Sequence, residues 1–184
     1  MSHGHGAHGD HGSNKGVAVL ISVLALILAF SETLGKNAQT AALAHNIEAS
    51  NLWAFFQAKT VRQTVLRTAA EQTAATTSSE SAKKQVEAWR KTADRYQSEP
   101  ETGEGREQLA ARAKEAEKKR ALAADAYHNF ESASALAQIA IVLASASIIT
   151  GMVAFVWTAG VLGVLAVFFC VMGFFFPHAL HIAF

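Results

Sequence analysis

Three apolar stretches constrain this chain most, because a backbone inside a bilayer must satisfy its polar groups within helices or closed barrels. The first stretch covers residues 17–35, and the other two cover 134–157 and 161–176. Their lengths approach the roughly 20 residues that a transmembrane helix needs. We therefore predict an all-α membrane protein with one span at the amino end and a hairpin of two spans at the carboxyl end.

The first stretch carries small residues at alternating intervals of four and three, and one further step of three leads to Glu32. Small residues let membrane helices approach closely, so this row is expected to meet another helix and Glu32 to point into the bundle. A Glu32–Lys36 pair is the alternative. The sequence Ala42-Leu43-Ala44 resembles a signal-peptide cleavage site. It lies too far beyond the apolar stretch for such a site, so an uncleaved anchor is expected. The small residues are Ala18, Ser22, Ala25 and Ala29.

The second and third stretches carry matching rows of small residues, again at intervals of three and four. Matching rows favour a close pair of helices. The link Thr158-Ala159-Gly160 leaves room only for a tight turn. We expect the two spans to pack against each other through Ala137, Ala140, Ala144, Ser147, Gly151, Gly163, Ala166, Cys170 and Gly173.

Residues 36–133 are predicted to form a long helical stalk with coiled-coil character, because apolar residues recur at helical spacing along them and residues 36–76 contain no helix breaker. Between residues 80 and 133, interleaved charges of both signs indicate a solvated surface. The helices of the stalk are expected at about 36–76, 80–97 and 106–133. The cluster from Thr76 to Ser79 and the sequence SEPETGEG favour turns between them, and Thr77 with Glu80 fits a capping box.

The segment from Ser31 to Arg67 carries two apolar rows at helical spacing, so we expect this helix to be buried on at least two sides. An aromatic cluster is expected where the three stalk helices meet, formed by Trp53, Phe55, Phe56, Trp89 and Tyr96. The first row is Leu43, Ile47, Ala54, Ala58, Val61 and Val65; the second is Leu34, Ala38, Ala41, His45, Glu48, Leu52, Phe55, Lys59, Arg62 and Leu66.

Polar groups interrupt the second row, and two interpretations of them stay open. They form a network between helices, because buried charge is usually paired, or they line an ion or proton path, because titratable groups in apolar surroundings also mark functional sites. The residues concerned, with the acidic group of the first span, are Glu32, His45, Glu48, Lys59 and Arg62.

Residues 1–16 are rich in histidine and glycine and are expected to be disordered. His3, His5, His8 and His11 make weak, adventitious capture of zinc, nickel or copper a hypothesis, although glycines set no ligand geometry. No cofactor is otherwise expected. The net charge of +1 argues against nucleic acid as a partner, and the absence of catalytic motifs argues against an enzyme.

The basic residues predict an orientation, because 15 of the 16 Lys and Arg follow Lys15 and precede the second span. Positive residues favour the cytoplasmic side, so the stalk is expected there. The tail 177–184 then lies at the same membrane interface. This would bring His178 and His181 to the level of Glu32, where a Glu32–His contact is a hypothesis.

Four strings in the chain are long and unusual enough to be specific: LAFSETLGKNAQTAAL at 28–43, EASNLWAFFQAKTVR at 48–62, RYQSEPETGEGREQLAARA at 95–113 and QIAIVLASASIITGM at 138–152. Together they resemble an uncharacterised bacterial family of membrane proteins, domain of unknown function 4337. The resemblance implies spans at both ends around a helical middle. It implies no activity, ligand or catalytic residue.

Three functions are therefore open at this stage. The first is a homo-oligomeric scaffold of the bacterial inner membrane, whose partners are further copies of itself and the lipid bilayer. The second is an ion or proton channel or transporter subunit whose path is lined by the polar groups of the first long helix. The third is metal capture by the histidine-rich tail.

Overall fold

A computed structural model of the chain describes residues 10–180, and no β-strand occurs among them. The helices are α1 (Asp10–Thr76), α2 (Glu80–Gln97), α3 (Arg106–Thr150) and α4 (Val153–Phe175), followed by a 3-10 turn, Pro177–Leu180. Helices α1, α3 and α4 are long and apolar enough to cross a membrane. Two compact units are present. We call Ala42–Ala121 the middle unit, and the described residues up to Ala41 with those from Leu122 onward the span unit.

Side chains at the helix ends explain where the elements of the middle unit begin and stop. Ser79 is the N-cap of α2, and its side chain accepts a hydrogen bond from the Ala82 amide at 3.2 Å. The cap is therefore Ser79 and not the expected Thr77. Helix α2 covers Glu80–Gln97, the range expected from the sequence, and α3 begins at Arg106.

The turn between α3 and α4 lies earlier than expected. Helix α3 ends at Thr150 and α4 begins at Val153, so the spans 134–157 and 161–176 and the turn at Thr158-Ala159-Gly160 are corrected. Gly151 has a φ of 68°, and its amide donates to the Ser147 carbonyl at 2.9 Å. A glycine in this conformation commonly ends a helix, whereas Gly160 continues inside α4.

Helix α1 also begins earlier than expected. It starts at Asp10, within the tail 1–16 that was expected to be disordered. Extending an existing helix fixes one residue for each new backbone hydrogen bond, so helix formation propagates easily from the apolar part of α1.

The core of the span unit joins all three of its long helices. Buried Val17 and Leu24 of α1 pack with small residues of α3 and α4. The expected small-residue rows are buried with the exceptions of Gly151, which is exposed, and Cys170, which is half-buried. A Cβ on Gly163 would lie 2.7 Å from Leu24 Cδ2, so the row on α4 makes room for α1 and does not serve α3 alone. The buried members are Ala137, Ala140, Ala144, Ser147, Gly163, Ala166 and Gly173.

The side of α1 that is buried in this unit is not the one expected. The small residues Ala18, Ser22, Ala25 and Ala29 are exposed, and so is Glu32. Buried instead are Val17, Leu24, Ser31 and Gly35. Glu32 therefore does not point into the core of its own unit. Val17 and Leu24 pack against glycines and alanines of the other helices, and this packing determines which side of α1 faces inward.

Gly163→Val is expected to destabilise the span unit by about 1–3 kcal/mol, because its side chain must displace Leu24 in a filled core. Hydrogen exchange of the α4 amides of the full chain in detergent measures the change in this unit. Gly160→Val is the matched control, since a Cβ there meets nothing within 4 Å. Equal losses in the two variants would contradict the close packing of α4 on α1.

Candidate functional site

The densest set of polar contacts in the middle unit joins α1 to the α2–α3 turn. It comprises Lys59 and Gln63 of α1, Glu99 and Glu104 of the turn, and Arg106 at the start of α3. We call these five residues the Lys59 cluster. The first two lie one helical turn apart on α1, so their side chains leave the helix on the same side.

Lys59 is the charged centre of this cluster and is only 4% exposed. Its Nζ lies 3.5 Å from Glu99 Oε2 and 3.6 Å from Glu104 Oε2. The same atom lies 5.3 Å from the centre of the Phe55 ring and 5.4 Å from that of Tyr96. Two carboxylates and two aromatic faces thus stabilise a cation that burial alone would disfavour.

Gln63 extends the cluster toward α3. It is 2% exposed, and its Nε2 donates to the Ala93 carbonyl at 2.9 Å. Arg106 NH1 donates to Gln63 Oε1 at 2.5 Å, and the guanidinium lies 4.9 Å from the Phe56 ring centre. Within the described residues, Arg106 Nε is buried without a hydrogen-bond partner.

The α2–α3 turn is itself tightly held. The Glu99 amide donates to Gln108 Oε1 at 3.2 Å, and Gln108 Nε2 donates to Ser98 Oγ at 3.1 Å. Gly105 is buried, and a Cβ there would fall within 2.4 Å of the Glu99 backbone nitrogen. The string SEPETGEG thus folds into a closely packed turn from which Glu99 and Glu104 reach Lys59.

The contacts of this cluster join α1 to the α2–α3 turn. Its two cations, Lys59 and Arg106, contact carboxylates and side-chain amide oxygens of the same unit. Across residues 10–180, no three His, Cys, Asp or Glu side chains are arranged to hold a metal ion.

The structure separates the polar residues that the sequence grouped together. His45 Nδ1 lies 3.4 Å from Glu48 Oε2 at the surface of the middle unit. Lys59 pairs with the turn, Arg62 is exposed, and Glu32 belongs to the span unit. His3, His5 and His8 lie outside the described residues, as does the side chain of His11.

Of the five aromatic residues expected to cluster, Trp53, Phe55 and Phe56 pack against one apolar core, and Tyr96 faces Lys59 together with Phe55. The Trp53 and Phe56 rings meet edge to face at 5.4 Å, and Trp53 Nε1 donates to Glu117 Oε1 at 2.8 Å. Phe55 and Tyr96 flank Lys59, as described above, while Trp89 is half-buried. Beneath Trp53, Phe55 and Phe56 lies a small apolar core of Ala49, Leu52, Leu109, Ala113 and Ala116.

Sequence reasoning missed Gln63, Glu99, Glu104 and Arg106. Two signals pointed to them: Gln63 follows Lys59 by four residues on a helix, and the turn string is unusually acidic for a connection of eight residues. Spacing alone does not show which acidic residue of a turn folds back onto a lysine some 40 positions earlier.

A second polar site ties the carboxyl end to α3 in the span unit. His178 Nδ1 lies 2.5 Å from Oδ2 of buried Asp125, and Asn129 Nδ2 donates to the Pro177 carbonyl at 3.2 Å. His178 therefore meets Asp125 and not Glu32. Tyr127 and Glu131 lie one helical turn apart on α3, and the charge of Glu131 raises the pKa of Tyr127 above its usual value.

The comparisons with known proteins give a family and no function. No curated protein and no solved structure matches the chain. A family model described as "Domain of unknown function (DUF4337)" matches residues 13–176. That range includes all four helices except the first residues of α1. It contains the Lys59 cluster, and from the second polar site it contains Asp125 and Asn129 but not Pro177 or His178. The chain belongs to the DUF4337 family.

Proposed function

We propose that this protein is a homo-oligomeric scaffold of the bacterial inner membrane, with its middle unit on the cytoplasmic side. The observation that carries the proposal is an uncovered apolar side of α1 in the middle unit. Leu43, Ile47, Val61 and Val65 are each 59–63% exposed. Soluble surfaces rarely keep such a row without a partner.

The second row of α1 accounts for the packing within one copy. Leu52 and Lys59 of that row are buried in the middle unit, so one copy satisfies one side of the helix. The first row is left for a neighbour. Burying the exposed part of its four large side chains would contribute roughly 4–8 kcal/mol per copy. For a pair of copies the gain is about 8–16 kcal/mol, which is comparable to an association cost of about 4–15 kcal/mol.

The proposed orientation rests on charge. The middle unit contains most of the Lys and Arg residues, and such residues favour the cytoplasmic side. The channel hypothesis draws less support, because Lys59, one of the polar groups considered for the path, pairs with Glu99 and Glu104 of its own unit. Metal capture would depend on His3, His5, His8 and His11. The glycines between these histidines impose no ligand geometry.

The mass of the full chain in native nanodiscs tests the proposal. We expect a single species containing a fixed number of chains greater than one. Val61→Lys is expected to shift it to the monomer, because an ammonium group in the apolar row must be desolvated on assembly. Ala88→Lys, at an exposed position of α2, is the matched control. A wild-type monomer would contradict the proposal.

A further inference from the structure

The uncovered side of α1 follows a strict heptad. Eight residues recur at intervals of three, four, three, four, three, four and three, and every one of them is exposed. They share Ile47, Val61 and Val65 with the apolar row from which the oligomer is proposed, whereas Leu43 of that row lies beside them. We call them the heptad row: Ala44, Ile47, Asn51, Ala54, Ala58, Val61, Val65 and Thr68.

The heptad row lies opposite the side that α1 packs into its own unit. In heptad lettering the row occupies positions a and d, and Ala49, Phe56, Gln63 and Ala70 occupy position f. Three of these f residues are buried and Phe56 is half-buried. The middle unit therefore uses the f side of α1 and leaves the a/d side free along its length.

We propose that a second copy of this chain covers the heptad row, forming a parallel two-stranded coiled coil between the two α1 helices. This inference rests on the proposed homo-oligomer and specifies its contact, direction and copy number. A repeat of 3.5 residues keeps such a row facing a partner helix only if the partner follows the same repeat. A second α1 meets that condition by construction.

Polar complementarity favours the parallel direction. Asn51 is the only amide in the heptad row and occupies an a position, where two parallel helices place the two Asn51 side chains against each other. In an antiparallel pair, a positions face d positions, and Asn51 would face an apolar residue. Gln57 at position g and Arg62 at position e, five residues later, also face each other across a parallel pair. Both are exposed in a single copy.

The size of the row indicates which occupant can use it. From Ala44 to Thr68 it is roughly 36 Å long on a helix about 10 Å wide, or roughly 700 Å² for the two faces of a pair. Stable complexes between free proteins bury about 1,200 Å² or more. A soluble partner would thus be held weakly, whereas a copy confined to the same bilayer meets the row at a high effective concentration.

The membrane also fixes the direction. Helix α1 contains one of the candidate spans. Two copies that insert in the same sense therefore carry α1 in the same direction, which is the arrangement that pairs Asn51 with Asn51.

Cysteine cross-linking of the full chain in nanodiscs tests the contact. With the native thiol removed by Cys170→Ala, Ala54→Cys places one thiol on the heptad row. We expect it to give about tenfold more covalent dimer than Ala88→Cys, an equally exposed alanine on α2, because only paired rows bring two Cβ atoms to disulfide distance. Native mass spectrometry of the unmodified chain is expected to show two copies.

The role of Asn51 is tested separately. Asn51→Val is expected to give species larger than two copies, because an apolar a position no longer restricts copy number. Asn46→Val, exposed at a c position of the same helix, is expected to leave two copies.

These measurements distinguish failure of the contact from failure of the oligomer. An oligomer without enhanced cross-linking at Ala54→Cys, or a wild-type mass of three or more chains, would overturn the coiled-coil pair and leave the homo-oligomeric scaffold in place. A monomer, alone or bound to a different protein, would overturn both.

Discussion

Lys59→Met is expected to reduce the local stability of the middle unit by about 2 kcal/mol, because it removes one partner of a buried ion pair. Glu99, whose side chain is 19% exposed, would keep only the exposed Arg95, whose Nε lies 3.6 Å from Glu99 Oε1. The Phe55 and Tyr96 rings would lose their contact with Nζ. Methionine fills a similar volume, so the loss reports the charge and not a cavity. Lys84→Met, at an exposed site of the same unit, should change stability by less than about 0.5 kcal/mol.

Hydrogen exchange of amides in α2 and the α2–α3 turn is the appropriate measurement, because a chain with two units lacks a single unfolding transition. The double variant Lys59→Met/Glu99→Gln separates the causes of the loss. It should recover about half of it, since the buried carboxylate is then neutral. No recovery in the double variant would show that Lys59 acts by packing alone.

Gly105→Ala is expected to cost about 3 kcal/mol or more, the second large effect, because its Cβ would collide with backbone atoms that have no room to move. The nearest backbone atoms are the Glu99 nitrogen and the Ser98 Cα, and the side-chain oxygen of Gln108 would also be in the way. The loop must open to accept the methyl group, which separates Glu99 and Glu104 from Lys59. We expect faster exchange throughout the turn and faster proteolytic cleavage there.

Gly103 provides the control in the same loop. Its φ is 69°, and a Cβ there would meet nothing within 4 Å. Gly103→Asn should therefore be nearly neutral, because asparagine tolerates this conformation better than other residues. If both variants accelerated exchange equally, the loop would be sensitive to chain flexibility and not to the close packing of Gly105.

The two large effects show where sequence reasoning succeeds and where it stops. The ends of α2 can be predicted because the cluster from Thr76 to Ser79 and the acidic turn are local signals, although the cap within that cluster was expected at Thr77 and is Ser79. The partners of Lys59 depend on how a loop folds back onto α1, which no local pattern encodes. Lys59 itself could be singled out as polar in an apolar row, but its contacts were expected on a neighbouring helix or in an ion path.

The span unit gives a similar lesson. Gly151 and Gly160 are both plausible turn residues, and periodicity continues through each of them. Backbone conformation decides between them, because Gly151 adopts a positive φ and Gly160 does not. The inward side of α1 was also predicted wrongly: the small-residue row suggested one side, whereas Leu24 fits into space left by Gly163 on the other helix.

The open turn at Gly151 and Met152 has a practical use. Both residues are exposed, and space around Gly151 is free of other atoms within 4 Å. A short epitope inserted there would leave the packed helices undisturbed. Since this turn connects two apolar helices, the side on which an antibody reaches the epitope identifies the face of the bilayer that the turn occupies. One accessible label at this point therefore establishes the topology of the chain.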